Sequence, residues 1–377
     1  MDRQRPGYLK RIQKAFKTHP VVAILGPRQC GKTTLAHLYL EQERLEGKAH
    51  IFDLEDPTDL AVMQNPKTAL EGLEGLIIID EIQRLPDLFP LLRVLVDQKK
   101  PRRFLILGSA SRDLIRQSSE TLAGRIAYIE LTPFSLEEVD TLPTLWLRGG
   151  FPNAYLANSE EASVYWREEY IATFLERDIP NLGIRIAPTA LRRFWLMLTH
   201  YHGQIFNASE IGRSMGLSDT TIRSYLDILT GTFMVRELTP WFENIGKRQV
   251  KRPKIYFRDS GIYHTLCDIP DRKALERHPK LGASWEGFAL EETIRHYAAR
   301  PEECYFWALH QGGELDLLIL KGGKRLGFEF KYQDAPTLTP SMQSAVEVVG
   351  LDSLEVIYPG EKSYPLAKKI TVRGLSS

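Results

Sequence analysis

A glycine-rich segment near the N-terminus contains the residue types that bind phosphate. Residues 26–34 read GPRQCGKTT. The two glycines let the backbone curl so that several N–H groups point at one phosphate, and the helix that follows adds its partial positive charge. Lys32 would then reach the β- and γ-phosphates, and the Thr33 hydroxyl would bind Mg²⁺. The candidate nucleotide-binding residues are Gly26, Pro27, Gln29, Cys30, Gly31, Lys32, Thr33 and Thr34.

The flanking sequence supports this interpretation. The apolar run at 21–25 predicts a buried parallel strand, and the pattern from Thr33 to Leu40 predicts a helix. A strand, a loop and a helix in this order are the context in which the glycine motif forms a phosphate site. Cys30 lies inside the loop, where a helix N-terminus could activate a thiol, but its small size favours a filling role.

Two further apolar runs end in polar residues. The run 76–79 ends in Asp80 and Glu81, and the run 104–107 is followed by Gly108, Ser109, Ala110 and Ser111. We expect Asp80 to hold Mg²⁺ through water and Glu81 to orient the attacking water. Ser109 is the first candidate, and Ser111 the second, for a hydrogen bond to the γ-phosphate or the water. The carboxyl ends of parallel strands meet at one edge, so the sequence predicts a site for ATP and Mg²⁺ there.

The motifs together resemble a known family. GPRQCGKTT, IIIDEIQ, LILGSAS, LAGRIAYIELTPFSLEE and LRGGFP occur in this order, as in prokaryotic AAA-type P-loop ATPases that carry a poorly characterised C-terminal domain. The resemblance covers essentially the whole chain and implies an α/β P-loop NTPase fold with a parallel sheet. It also implies a homo-oligomer, for example a ring, in which an arginine of one subunit completes the site of the next. Arg125 in LAGR and Arg177 in ERDI both qualify, and either could instead form an ordinary surface ion pair.

The bulk composition limits the class of protein. With 377 residues, 43% hydrophobic and 26% charged, the chain is expected to form two or three globular domains. No apolar run approaches the roughly 20 residues that span a bilayer, and the N-terminus lacks a secretory signal. Three scattered cysteines fit a reducing cytoplasm. The net charge of +1 does not indicate a nucleic-acid partner, so such a partner must be argued from local clusters.

The middle of the chain reads as helical. Trp166, Tyr170 and Phe174 recur every four residues, which predicts the buried face of a helix rather than a base-stacking surface. We expect residues 146–204 to form a helical lid behind the nucleotide.

The next stretch, FNASEIGRSMGLSDTTIRSYLDIL, predicts a helix-turn-helix. Ile222, Tyr225, Leu226 and Leu229 would face inward. Thr220, Thr221, Arg223 and Ser224 would face outward on the reading helix. Downstream, the run KRQVKRPK predicts a wing along phosphates, formed by Lys247, Arg248, Lys251, Arg252 and Lys254. The alternative is a module for protein contacts whose basic residues are a solvated face.

The C-terminal part predicts a helix, three strands, a helix and a strand. Asp316 falls on the second strand, while Glu329 and Lys331 share one face of the third. Two carboxylates can hold a divalent ion, and a lysine can activate water. This pattern resembles the restriction-endonuclease-like nuclease fold, including resolvases, and Glu286 would match its helix-borne acid. The resemblance implies a second Mg²⁺ or Mn²⁺ site, whereas a surface charge ladder is the alternative.

These inferences combine into a four-part prediction, with an AAA-type ATPase core at 1–145, a helical lid at 146–204, a winged helix-turn-helix at 205–262 and a nuclease-like domain at 263–377. The predicted function is a Mg²⁺-dependent ATPase coupled to the handling of DNA, branched or broken DNA in particular. An ATP-gated metal-dependent nuclease and an ATP-dependent switch that binds a protein partner are the alternatives. Neither the preferred DNA structure nor the ring size follows from the sequence.

Overall fold

The chain folds into two compact units. The computed structural model describes residues 4–44, 49–98, 100–110, 122–139, 141–242, 249–310 and 312–377. The first unit comprises Met1–Phe134, Glu176–Arg185 and Gly231–Phe233, and the second comprises Ser135–Leu175, Ile186–Thr230 and Met234–Ser377. The predicted boundaries at 145, 204 and 262 stay predictions. Three predicted site residues, Ser111, Lys247 and Arg248, lie outside the described residues.

The first unit contains a parallel sheet with its strands in the order β2-β3-β4-β1-β5. Its strands are β1 (Val21–Leu25), β2 (Ala49–Asp53), β3 (Gly75–Asp80), β4 (Arg102–Gly108) and β5 (Ile126–Glu130). Because β4 lies between β1 and β3, the residues after all three strands meet at one edge of the sheet. The predicted α/β fold with a parallel sheet is confirmed.

Helices cover both faces of this sheet. They are α1 (Pro6–Phe16), α2 (Lys32–Gln42), α3 (Pro57–Val62), α4 (Pro66–Glu71) and α5 (Leu88–Asp97). Alternate residues of β1 enter separate cores, with Val21 and Ala23 in one and Val22 and Ile24 in the other. Burial on both faces explains why the strands read as continuous apolar runs rather than alternating ones.

The second unit contains a mixed sheet with its strands in the order β13-β14-β12-β11-β10-β9-β7-β8-β6. Its strands are β6 (Gln204–Ile205), β7 (Val235–Pro240), β8 (Lys254–Phe257), β9 (Cys304–Ala308), β10 (Glu314–Lys321), β11 (Lys324–Phe330), β12 (Ser353–Tyr358), β13 (Tyr364–Ala367) and β14 (Ile370–Gly374). Strand β7 pairs with β9, with Thr239 opposite Tyr305. The predicted helix-turn-helix and C-terminal segments therefore share one sheet.

Helices pack around that sheet. They are α6 (Leu142–Arg148), α7 (Pro152–Tyr155), α8 (Glu160–Thr173), α9 (Pro188–Thr199), α10 (Ala208–Met215), α11 (Asp219–Gly231), α12 (Ser260–Leu266), α13 (Arg272–Arg277), α14 (Leu281–His296) and α15 (Pro340–Val348). The side chains of Trp195, Trp285 and Trp307 are completely buried. Burying aromatic side chains of this size contributes strongly to the stability of the unit.

Of the three aromatic residues predicted to form the buried face of the helical segment, Tyr170 and Phe174 are buried and Trp166 is partly exposed. Tyr170 and Phe174 are 3% exposed, and the ring of Tyr170 lies 5.2 Å from Trp166 and 6.3 Å from Phe174 between centroids. A π-helix at Phe174–Asp178 continues α8, and a short helix at Ile179–Asn181 follows it. The lid function assigned to 146–204 stays a prediction.

The predicted helix-turn-helix forms two consecutive helices. Gly216, with φ +70°, ends α10 in the left-handed conformation, and α11 begins three residues later. Residues expected to face inward are buried, namely Ile222, Tyr225, Leu226 and Leu229. Strand β8 pairs antiparallel with both β6 and β7. Among the described residues, no helix is both long and apolar enough to cross a membrane.

Candidate functional site

The glycine-rich loop has a backbone that larger residues could not adopt. A Cβ atom at Gly26 would lie 2.1 Å from the carbonyl oxygen of Leu131, and Gly31 has φ +96° at the start of α2. The Gly26 N–H donates to the Gly108 carbonyl at 3.1 Å. These contacts seat the loop against the ends of β4 and β5, with the N-terminus of α2 directly after it.

Lys32 is held over the loop. Its side chain is buried, and Nζ donates to the carbonyl oxygens of Gly26 at 3.0 Å and Pro27 at 2.9 Å. Both partners are neutral carbonyl oxygens, so a negatively charged phosphate oxygen could replace them. Gln29 and Thr34 are exposed in the same segment.

Thr33 and Asp80 meet directly. The Thr33 hydroxyl donates to Oδ2 of Asp80 at 2.6 Å, and Asp80 is 6% exposed. Burial raises the pKa of Asp80, while the hydrogen bond from Thr33 opposes that shift. A hydroxyl beside a carboxylate is an oxygen donor pair suited to Mg²⁺, so these residues fit the ion that the loop implies.

Glu81 belongs to a polar network that spans two strand ends. Oγ of Ser109 donates to Oε2 of Glu81 at 2.8 Å, and Nε2 of Gln83 contacts the same Glu81 oxygen. Gln83 also donates to Oγ of Ser109 at 2.8 Å. Glu81 itself has φ +54°. The structure therefore brings the predicted Glu81 and Ser109 together, and Gln83 joins them, a residue that the sequence analysis did not identify.

Cys30 fills space in the loop. Its side chain is completely buried, and burial raises the pKa of the thiol. A raised thiol pKa is the opposite of what an activated cysteine requires, so the filling role is favoured.

Arg28 lies in the glycine-rich loop and is another residue that the sequence analysis did not identify. Its guanidinium lies 2.6 Å from Oε1 of Glu55 and 2.9 Å from Oδ1 of Asp178. All three side chains are mostly buried. The loop is thus tied to the end of the π-helix, a contact between residues too distant in sequence to be predicted.

Comparisons with known proteins agree with this geometry. An AAA domain matches residues 18–140, and two domains of unknown function, DUF8612 and DUF4143, match residues 139–273 and 281–376. Uncharacterized protein Rv2008c of Mycobacterium tuberculosis is 50% identical over 366 residues, which cover 96% of this chain and 81% of that protein. This chain belongs to the same family of AAA-type P-loop ATPases. The family resemblance predicted from the motifs is confirmed.

Two further proteins are similar to this chain, one in sequence and one in structure. Uncharacterized protein Mb2031c of Mycobacterium bovis has the same identity and coverage as the M. tuberculosis relative. The Walker-type ATPase PABY2304 of Pyrococcus abyssi is 13% identical, with a TM-score of 0.49, and the match covers 70% of this chain and 95% of that one.

The two candidate trans-acting arginines of this AAA-type ATPase have different surroundings. Arg125 forms an exposed ion pair with Asp97, with Nε 2.7 Å from Oδ1. Arg177 is 62% exposed and lies 4.0 Å from Glu55, which also pairs with Arg28 of the loop. Both assignments stay predictions.

The outward face of the reading helix is only partly free. Thr220 is exposed, and the Thr221 N–H donates to Oγ of Ser218 at 3.1 Å. Arg223 is half-buried and pairs with Glu237 at 2.6 Å. An arginine already paired with a carboxylate is less available to a phosphate, so Thr220 is the more accessible candidate.

The predicted basic wing needs one correction. Lys251 and Arg252 are exposed, as expected, but Lys254 is 4% exposed. Lys254 starts β8, where its side chain turns inward, and it contacts Glu314. The prediction that Lys254 lies along phosphates on an exposed wing is wrong, because this side chain is enclosed by protein.

The predicted C-terminal residues do come together. Nζ of Lys331 lies 2.8 Å from Oε2 of Glu329 and 3.9 Å from Oδ2 of Asp316. Glu286 reaches the same cluster from α14, with Nζ of Lys254 3.9 Å from its Oε1. We call the residues Glu286, Glu314, Asp316, Glu329, Lys254 and Lys331 the acidic cluster.

The acidic cluster has perturbed protonation. Burial, followed by the Asp316 carboxylate, raises the pKa of Glu286 to about 7 and that of Glu329 to about 8. Burial alone would lower the pKa of Lys254, but the Glu286, Asp316 and Glu314 carboxylates raise it above its usual value. In the part of the chain that the structure describes, no group of three or more His, Cys, Asp or Glu side chains is arranged to hold a metal.

Proposed function

We propose that this protein is a Mg²⁺-dependent ATP hydrolase. The observation that carries the proposal is the hydrogen bond between Thr33 and Asp80, which joins the phosphate-binding loop to the acidic end of β3. Membership of the AAA-type family and the buried Lys32 beside this pair support it.

Each residue has a role in this proposal. Lys32 exchanges its two loop carbonyls for β- and γ-phosphate oxygens, and Thr33 and Asp80 hold Mg²⁺, which offsets charge on the phosphates. Glu81 orients the attacking water and accepts its proton. Ser109 donates to Glu81, and in this proposal its hydroxyl turns to the γ-phosphate or to the water when nucleotide is bound.

We infer that hydrolysis is coupled to DNA. Helices α10 and α11, followed by the β7 and β8 hairpin, have the order of a winged helix, and Thr220, Lys251 and Arg252 are exposed along it. The resemblance of the C-terminal segment to nucleases, including resolvases, supports branched or broken DNA as the substrate of this proposal. The resemblance to AAA-type ATPases supports a homo-oligomer, in which Arg125 or Arg177 of one copy completes the site of the next.

A gel-shift panel of single-stranded, duplex and four-way DNA, with and without ATP, tests the DNA proposal. We expect binding that weakens steeply as salt rises. The double variant Lys251→Ala/Arg252→Ala should reduce the slope of log affinity against log salt by about 2, because two phosphate contacts are lost. Lys273→Ala removes an exposed lysine from α13 and should leave binding unchanged. Salt-independent or absent binding would instead favour the switch that binds a protein partner.

A metal-dependent nuclease is the second candidate function. The proximity of Asp316, Glu329 and Lys331 favours this function. The ion pairs between these carboxylates and lysine weigh against a bound metal. Cutting of linear, circular or four-way DNA with Mg²⁺ or Mn²⁺, lost in Glu329→Ala and Asp316→Ala, would support it. DNA that stays uncut with both metals would exclude the nuclease function.

A further inference from the structure

A buried lysine lies at the centre of the acidic cluster. Nζ of Lys254 contacts Glu314 and lies 3.8 Å from Oδ1 of Asp316 and 3.9 Å from Oε1 of Glu286. These three carboxylates come from two different elements, β10 and α14, while Lys254 comes from β8. The ring of Phe306 faces the ammonium, with 5.5 Å from Nζ to the ring centroid. One buried positive charge therefore faces three carboxylates, of which Glu286 and Asp316 are largely buried and Glu314 is half-exposed.

Two of these acids also accept hydrogen bonds from neutral donors. The Tyr256 hydroxyl donates to Oε1 of Glu286 at 2.7 Å, and the Phe330 N–H donates to Oδ2 of Asp316 at 3.0 Å. Asp316 lies between two lysines, since Lys331 approaches its other oxygen at 3.9 Å. The carboxylates thus face ammonium groups and neutral donors.

A divalent ion would need the same carboxylate oxygens. Hard cations bind oxygen ligands at about 2.0–2.6 Å. Nζ of Lys254 lies 3.8 Å from Asp316 and 3.9 Å from Glu286, so a bound ion would lie closer to these oxygens than the ammonium does. An ion among these oxygens would lie beside the ammonium and would compete with it for the same carboxylate charge, while the two cations repel each other in a buried site. The residues present therefore do not fit the second metal that the nuclease-like resemblance implies.

We propose that the ammonium of Lys254 is a built-in cation that takes the place of a divalent metal in the acidic cluster. The cluster then excludes Mg²⁺ and Mn²⁺ for as long as β8 keeps Lys254 inside. The proposal rests on the same cluster as the nuclease alternative and is independent of ATP hydrolysis.

Mn²⁺ titration of the full-length, nucleotide-free protein tests this inference, with Thr33→Ala and Asp80→Asn present to remove the ATPase metal site. The parent should bind no Mn²⁺ at the acidic cluster. Lys254→Met keeps the length of the side chain and removes its charge, so we expect a Mn²⁺ site to appear with an affinity at least about tenfold above the detection limit of the parent titration. Lys254→Arg restores a cation and should show no gain. Adding Asp316→Asn to Lys254→Met should abolish the gain.

Two results would overturn the inference. One is a folded Lys254→Met variant, with parental circular dichroism, that binds Mn²⁺ no better than its parent. The other is Mn²⁺ binding by the parent that Asp316→Asn removes, which would show that the metal and Lys254 coexist. The second comparison does not require Lys254→Met to fold. Because ATP turnover is measured separately, a failure here leaves the proposed hydrolase untouched.

Discussion

The guanidinium of Arg28 lies 2.9 Å from Oδ1 of Asp178, so that the phosphate-binding loop is fixed to the last residue of the π-helix. The exposed fractions of the two side chains are 17% and 9%. Arg28 stands between Pro27 and Gln29, and the Pro27 carbonyl is one of the two that hold Lys32. The pair therefore orders the loop before nucleotide arrives.

Breaking this ion pair should weaken ATP binding. We expect Arg28→Ala and Asp178→Ala each to raise the Kd of a fluorescent ATP analogue about fivefold, because a loop that must be ordered on binding costs about 1 kcal/mol. The double variant should bind no more weakly than Arg28→Ala, since that change already removes the contact with Asp178. Glu276→Gln breaks an exposed pair with Arg272 and serves as the control. Additive effects would contradict a shared role.

Gln83 should act on turnover rather than on binding. Its side chain joins Glu81 to Ser109, so Gln83→Ala leaves both without a common partner. We expect kcat for ATP hydrolysis to fall about tenfold or more, with KM changed less than about twofold, because the loop and Lys32 remain intact. Steady-state phosphate release measures both constants.

Gln13, a partly exposed residue that donates to Glu43, provides a matched control through Gln13→Ala. This variant should retain both constants. A Gln83→Ala enzyme with raised KM and unchanged kcat would show that the glutamine supports nucleotide binding instead of positioning Glu81.

The parts that the sequence predicted correctly are those with local signals. An apolar run that ends in glycine or aspartate marks a buried strand and its carboxyl end, which is how β1, β3 and Asp80 were identified. The spacing of Ile222 to Leu229 marked the inward face of α11 in the same way. Thr33 and Asp80 were each expected to bind Mg²⁺, and the structure brings them within hydrogen-bond distance of each other.

The contacts that were missed depend on which strands become neighbours. Gln83 reaches Ser109 because β3 lies beside β4, and the sequence does not give that order. Lys254 belongs to a basic run, so its charge was assigned to a solvated wing. It faces the acidic cluster because β8 and β10 belong to one sheet, where the intervening β9 and β7 come from different parts of the chain. Pairing of this kind is a long-range property of the fold.

Two buried histidines should make the second unit sensitive to acid. Nδ1 of His264 donates to the Leu147 carbonyl at 2.9 Å, and Ser284 contacts Nε2 at 2.7 Å, an arrangement that fits the neutral ring. Burial lowers the pKa of His264 to about 3, and that of His202 to about 3 as well. Both pKa values lie below the unfolded value of about 6.5. Stability is therefore complete above about pH 6.5 and is lost as the pH falls towards 3.

All six tryptophans lie in the second unit, so their fluorescence follows its unfolding alone. In denaturant titrations, the free energy of unfolding should fall by about 2 kcal/mol for each of these histidines between about pH 8 and pH 5. His264→Gln should halve the loss of unfolding free energy that the two buried histidines cause. His19→Gln, in the first unit, should leave this loss unchanged. The same pH dependence in wild type and His264→Gln would contradict the neutral buried ring.

The most direct test of the central claim is ATP turnover by the full-length protein with Mg²⁺, in the presence and absence of duplex and four-way DNA. The proposed function predicts Mg²⁺-dependent phosphate release that rises when DNA is added and that Lys32→Ala reduces by about a hundredfold or more. Phosphate release that persists in Lys32→Ala would contradict hydrolysis at the loop. Turnover that no form of DNA changes would contradict the coupling.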